Sequence, residues 1–266
     1  MVTNGLQKAY GYDREGVYRN RRNGLFRLRE RLNLKDFGAT VVVADIREKE
    51  TWWEEKDEVC YDLFVKCDIS STESFKECFK TVFDRFGRID VLVNCAVYSA
   101  GHGSSYDFET MSDETWRCGI EGGLDSVFKG MREVVPYMKE NGGSVINYCS
   151  MYGLVSPDLR IYVENPNQKN PPNYGAAKAA VLQLTRYGAS SLAKYNIRVN
   201  CVTPGPFPSP QSQSSVAFNK RLADKTMLGR FGQNYEMAGA VLLLASDAST
   251  FMTGSNIVVD GGWTAW

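Results

Sequence analysis

A doubly wound α/β fold on a parallel sheet is what this sequence predicts, and three observations predict it. Short apolar runs of strand length alternate with stretches of helical period from Ala39 onward. The runs carry no polar alternation, which is the pattern of strands covered by helices on both faces. The residues able to do chemistry sit at the ends of those runs or on the helix that follows, and ligands bind at that carboxyl edge in such sheets.

The elements follow in order. Ala39–Asp45 is an apolar run closed by an acid, and 62–68 is a second run that also ends in Asp. Residues 71–86 have helical period, with Phe75, Cys78, Phe79, Val82 and Phe83 on one face. Residues 89–96 form the third run. Residues 113–140 read as one long helix, loosened at Gly119, Gly122 and Gly123. Further runs at 144–149, 197–202 and 256–259 are separated by helices at 173–195 and 236–246.

Composition narrows the class. The chain has 266 residues, 43% of them hydrophobic, enough for one large domain or two small ones. Its formal net charge is zero, so nothing draws it to nucleic acid or to an anionic membrane. No apolar stretch approaches the 18 or so residues of a membrane span. Seven cysteines, an odd number without a CxxC pair, point to a reduced, cytoplasmic protein rather than a disulfide or zinc scaffold.

Tyr174 and Lys178 stand four apart in an Ala-rich helical stretch, which places phenol and ammonium on one face. A neighbouring ammonium favours phenolate, and a Tyr so tuned can exchange a proton with a hydroxyl or carbonyl. The pair alone also suits an ordinary helix face. Asp45, at its strand end, can accept hydrogen bonds from adenosine ribose hydroxyls and would repel a 2′-phosphate, favouring NAD over NADP. Asp68 suits an adenine amino group. Ala96, after Asn94-Cys95, is small enough for a cofactor to pass. Ser150 follows the run 145–149, where its hydroxyl can share a substrate oxygen with Tyr174. Thr203-Pro204-Gly205-Pro206-Phe207-Pro208 has four Pro or Gly in six residues, a stiff loop at a strand end.

Together with Asn200 and the ending Val258-Val259-Asp260-Gly261-Gly262, these residues come in an order and spacing that resembles the short-chain dehydrogenase/reductase family, from about Gly38 to the C-terminus. The resemblance implies a Rossmann-like sheet and hydride transfer between nicotinamide and an alcohol or carbonyl. It implies Tyr174 as acid/base, Lys178 lowering its pKa and holding the nicotinamide ribose, and Ser150 orienting the substrate oxygen. It also implies Asn94 and Ala96 lining the cofactor, Pro204-Gly205 bordering the nicotinamide, and a homodimer or homotetramer as the assembly. No metal is implied.

The chain departs from the family pattern in three places. Where the family has an Asn that anchors a relay water, this chain has Gly123. Ser150 and Tyr174 lie 24 apart, and the extra segment, 158–172, is expected to shape the substrate pocket; it is similar to the same stretch in relatives that act on sugars and sugar acids. The third departure is the largest. The first strand and glycine-rich phosphate turn should stand about 25 residues before Asp45, but residues 1–38 form a basic segment with nine Lys or Arg in the first 35 residues against three acids. We therefore expect two parts: an atypical segment at 1–38, with the first strand and phosphate loop missing or replaced, and the family domain at 39–266. Leu25 to Leu34 could make a basic amphipathic helix. Shifting the reading of residues 14–32 by one nucleotide permits Gly-Lys-Val-Phe-Ile-Val-Thr-Gly-Gly-Thr-Gly-x-x-Gly-x-Ala, a strand and phosphate turn in family register. Two expectations follow: an NAD-dependent oxidoreductase of a small alcohol or ketone, with a sugar or sugar acid among the candidates, or a relative that keeps the fold and cannot hold cofactor.

Overall fold

The structure is a computed structural model that describes residues 16–20, 34–46, 61–98, 107–164, 169–208 and 215–266. Seven strands among these residues form one all-parallel sheet, in the order β3-β2-β1-β4-β5-β6-β7. They are β1 (Gly16–Asn20), β2 (Thr40–Asp45), β3 (Leu63–Lys66), β4 (Val91–Asn94), β5 (Gly143–Tyr148), β6 (Ile197–Pro204) and β7 (Asn256–Val259). The order reverses between β1 and β4, the switch point where doubly wound sheets open a binding crevice.

β1 decides between the two alternatives the sequence leaves, a first strand missing or replaced. Gly-Val-Tyr-Arg-Asn has no apolar strand pattern, yet β1 fills the slot, with Val17 opposite Val41 and Val91 and Asn20 opposite Asn94. The reason is that β2 and β4 each offer a row of backbone donors and acceptors there, and ladder bonds are made by backbone whatever the side chain. The possible basic helix, Leu25 to Leu34, lies outside the described residues up to residue 33, as does the stretch where a phosphate turn would stand.

The helices cover both faces. They are α1 (Thr72–Phe86), α2 (Asp113–Ile120), α3 (Ser126–Met138), α4 (Pro172–Leu192), α5 (Val216–Asp224) and α6 (Ala238–Ala245). Ser71 caps α1, accepting from the Ser74 amide at 3.2 Å, and Gly87 ends it in the left-handed region at φ 76°. The long helix expected over 113–140 is two helices joined by one wider, π-type turn, Glu121–Asp125, which contains two of the loosening glycines. Pro172 opens α4 at its first position, where the missing N–H costs nothing. Phe75, Phe79, Val134 and Val145 pack on one face of the sheet, and Val41, Val93, Ile146 and Leu244 on the other.

Candidate active site

Because every strand runs the same way, Asp45, Asn94, Tyr148 and Pro204 all end on one edge of the sheet. Ser150 stands two residues beyond β5 in extended backbone, and its oxygen accepts from the Tyr152 amide at 3.2 Å. Its hydroxyl hydrogen-bonds to Tyr174, so the structure brings these two predicted residues together. Lys178 follows one turn later on α4. It is buried, donates to the Tyr148 carbonyl at 2.8 Å, and stands 5.9 Å from the centre of the Tyr174 ring.

The expected lowering of the Tyr174 pKa is not what the protein alone does. Burial pushes the phenol above its ordinary value, and the Ser150 hydrogen bond pulls the other way. The Lys178 ammonium is turned to the end of β5, where the carbonyl at 2.8 Å holds it.

Other predicted residues meet different surroundings. Asn94 is buried and donates to Asn147 at 3.0 Å, and Asn147 donates on to Thr185 at 3.0 Å. That chain of bonds ties β4, β5 and α4 together, a task of architecture. Asp68 accepts from the amide and the hydroxyl of Ser70 at 2.9 and 2.8 Å. Asp45 and Ala96 are buried at the strand edge, 8% and 6% exposed, beside the crevice. Gly205 is demanded by packing: a Cβ there would lie 2.5 Å from the Asp260 Cα, while its amide bonds the Val259 carbonyl at 2.9 Å. Asn200 holds the Ser255 amide and the Met252 carbonyl. At Gly123 a Cβ would come within 2.8 Å of the Ala177 Cβ, so α4 packs where the family's Asn would project.

In front of Ser150 and Tyr174 lies a cavity of about 230 Å³. Tyr152, Tyr162, Phe207 and Phe218 line it, along with the Pro204-Gly205 loop. Sequence reasoning named the loop that carries Phe207 and the segment that carries Tyr162, but it did not single out Tyr152, Tyr162 or Phe218 as a wall, nor α5. Tyr152 follows the Ser150 turn, Tyr162 lies in the extra segment, and Phe218 comes 56 residues later; only the packed chain makes them neighbours. The extra segment is clamped to α5. Arg221 donates to the Ile161 carbonyl at 3.0 Å and pairs with Glu164 at 3.2 Å, and Lys225 pairs with Asp158 at 3.1 Å.

Comparison with known proteins settles the family. A family model described as Enoyl-(Acyl carrier protein) reductase matches residues 32–264. Trans-4-hydroxycyclohexanecarboxylate dehydrogenase of Sinomonas cyclohexanicum is 39% identical over 237 residues, 86% of this chain and 84% of its own. The chain belongs to the short-chain dehydrogenase/reductase family. Cyclopentanol dehydrogenase of Comamonas sp. is 33% identical over 86% of this chain and 88% of its own. A short-chain dehydrogenase of Leptospira borgpetersenii, solved with bound NAD+, superimposes with a TM-score of 0.80 at 26% identity, covering 97% of this chain and 95% of that one. This protein is accordingly an oxidoreductase of alcohols and carbonyls that works with a nicotinamide dinucleotide and a small-molecule substrate. No described helix is long and apolar enough to cross a membrane.

Proposed function

We propose that this enzyme interconverts a compact, uncharged ring alcohol and its ketone, with NAD preferred over NADP. The observation that carries this reading is the cavity: small, walled by aromatic rings, and with no Lys, Arg, His, Asp or Glu among its described lining residues. Ligand pockets for drug-sized molecules usually start at about 300 Å³, so the substrate is smaller. A buried carboxylate without a cation is costly, which counts against a sugar acid. Two relatives, a trans-4-hydroxycyclohexanecarboxylate dehydrogenase and a cyclopentanol dehydrogenase, support a ring substrate; the first one's ring carries a carboxylate, for which the described lining of this cavity offers no cation.

Bound nicotinamide supplies or takes the hydride at the substrate carbon. Tyr174 gives its hydroxyl proton to the carbonyl oxygen in reduction and receives one from the alcohol in oxidation. Ser150 donates to the same oxygen and fixes its direction. Lys178, on the next turn of α4, places a positive charge behind Tyr174 and beside the nicotinamide ribose. Asp45 ends β2 one strand from the switch point, where a carboxylate suits ribose hydroxyls and opposes a phosphate.

The phosphate end of the cofactor site does not fit as well. Residues 21–33 hold a single glycine, Gly24, and five arginines. We propose that residues 14–32 are a family N-terminus in a shifted reading frame. Sequence matching to the family begins at residue 32, whereas structural likeness reaches 97% of the chain. β1 lies at 16–20, where the shifted frame spells Val-Phe-Ile-Val-Thr. The family's dimers and tetramers are proposed for this chain as well, with light scattering on the eluted protein as the check; a monomer at working concentration would refute them.

The test of the main reading is turnover with NADH and NADPH on cyclopentanone, cyclohexanone, and a panel of keto-sugar acids. Reduction of the ring ketones with NADH supports it. Turnover confined to the acids, or a preference for NADPH, overturns the corresponding half.

A further inference from the structure

Part of the cavity wall is set by the sheet and part is not. Ser150 and Tyr152 follow β5 and the Pro204-Gly205 loop follows β6, so strands place these lining residues. Phe218 and Leu222, one turn apart on α5, also line the cavity, and α5 packs on the turn Leu159–Tyr162 of the extra segment. Tyr162 ends that turn and carries the link back. Its hydroxyl meets the Tyr152 hydroxyl at 2.5 Å, and its ring packs on Phe218, centres 5.7 Å apart.

Arg221 fastens α5 to that turn. Its Nε donates to the Ile161 carbonyl at 3.0 Å, and its two terminal nitrogens donate to the Glu164 carboxylate at 3.3 and 3.2 Å. A guanidinium has only donors, and a carbonyl and a carboxylate only accept, so the direction of each bond is fixed. The planar fork reaches two partners at once and sets the angle of the helix as well as its distance. The C-terminal end of α5 has further holds: Lys225 pairs with Asp158 at 3.1 Å, and the Trp266 indole donates to the Lys225 carbonyl at 3.2 Å. Phe218 lies a turn nearer the other end, so its place depends on Arg221 and on the Tyr162 ring that the grip keeps beside it. Arg221 itself is not among the described lining residues.

We propose that Arg221 is a specificity-determining positioning residue, which holds Phe218 and Leu222 against the extra segment and thereby limits the bulk of the ring the cavity admits. This rests on the ring-alcohol reading above and deepens it by naming what sets substrate size. An aromatic wall excludes an added group only if the wall cannot retreat, and apolar contact is non-directional, so packing alone does not stop α5 from shifting. Arg221 supplies the directional hold. An exposed ion pair contributes little, and Glu164 is the exposed half of the grip; the other half, the bond to the Ile161 carbonyl, is partly buried and adjoins Tyr162 in the chain.

The experiment compares cyclohexanone with 4-tert-butylcyclohexanone, which share the reacting carbonyl and differ in bulk. Binding is read by ligand-observed NMR titration of the full chain, which needs no turnover, and kcat/KM is measured with saturating NADH where turnover occurs. Wild type is expected to favour the smaller ring about tenfold or more, the scale on which a fixed apolar pocket rejects added carbon. In Arg221→Met, which keeps the stem and loses every donor, the ratio should fall to about one. Arg221→Lys keeps a charge without the fork, and its ratio should be intermediate. Backbone hydrogen exchange over 159–164 and 216–225 should quicken together in Arg221→Met, with α4 as in wild type. Thermal melts establish which variants fold, and Arg221→Lys decides alone if Arg221→Met does not. A wild-type ratio near one, a ratio that survives the substitution, equal losses on both ketones, or exchange that quickens in one segment only or in neither would overturn the role of Arg221. If neither ketone is reduced with either cofactor the ring-alcohol reading fails, and the binding ratio and the exchange still decide the role. Absence of binding by both rings overturns both.

Discussion

The two ends of the crevice proposed to take the dinucleotide are built in opposite ways. At the proposed reacting end, Ser150, Tyr174 and Lys178 are placed largely by what the local sequence prepares: a hydroxyl capping its own turn, a Pro-opened helix and a four-residue spacing, with the Tyr148 carbonyl holding Lys178 from the neighbouring strand. At the phosphate end, β1 is held by its neighbours' backbones, and its own residues would not have nominated it. Arg19 stands in register with Val43 and Val93, between two fully buried runs. A central slot in a parallel sheet is therefore specified by the strands on either side, while a catalytic face must be specified by its own residues.

Rewriting the weak end should have the largest effect. Replacing residues 14–32 with the shifted-frame sequence should raise NADH affinity about 100-fold or more, because several backbone amides regain the pyrophosphate. Fluorescence titration of NADH measures it, and an unchanged Kd would remove the frame explanation. The strong end is probed by Tyr174→Phe. Turnover should fall by about 10²- to 10⁴-fold, the usual worth of a positioned acid/base, while NADH affinity stays within a few-fold. Steady-state kinetics and the same titration separate the two; wild-type turnover would take Tyr174 out of the mechanism.

Gly205→Ala lies between the ends, on the stiff loop. Its Cβ would press on Asp260 backbone, and we expect a loss of about 1–3 kcal/mol in urea unfolding. A loss below a few tenths would mean that the loop yields.

The smallest effect concerns alkali. Burial raises the pKa of Tyr152, Tyr162 and Tyr174 above the ordinary 10.0, and burial with nearby acids raises Tyr98 to about 12. The unfolded chain then releases these protons first. Stability is full below about pH 10 and is lost as pH rises through the folded values. Melting temperature should fall from pH 10 upward, and Tyr152→Phe should blunt the fall. A flat profile to pH 12 would contradict the burial of these phenols.

Much of the molecule was legible in advance. Six of the seven strands lie within or nearly match the apolar runs, and 256–259 is the strand read from the sequence. Those runs are legible because strands covered on both faces need continuous apolar residues. Ser150 and Tyr174 were expected to share one substrate oxygen, and the structure places their side chains together. The duties of Asn94 and Gly205 were not foreseen, since hydrogen bonding to Asn147 and contact with Asp260 depend on residues 53 and 55 positions away. The upward direction of the Tyr174 pKa was missed as well, because spacing on a helix says nothing of desolvation.

By itself, then, the sequence determined the fold class, the family and the carboxyl edge where the candidate site lies, because hydrophobic period and local spacing are properties of neighbours along the chain. Tertiary structure alone decided that Gly16–Asn20 completes the sheet, that Gly123 makes room for α4, and that Tyr152, Tyr162 and Phe218 wall one cavity. These are contacts between segments far apart in the chain, and they exist only once the backbone has closed around them.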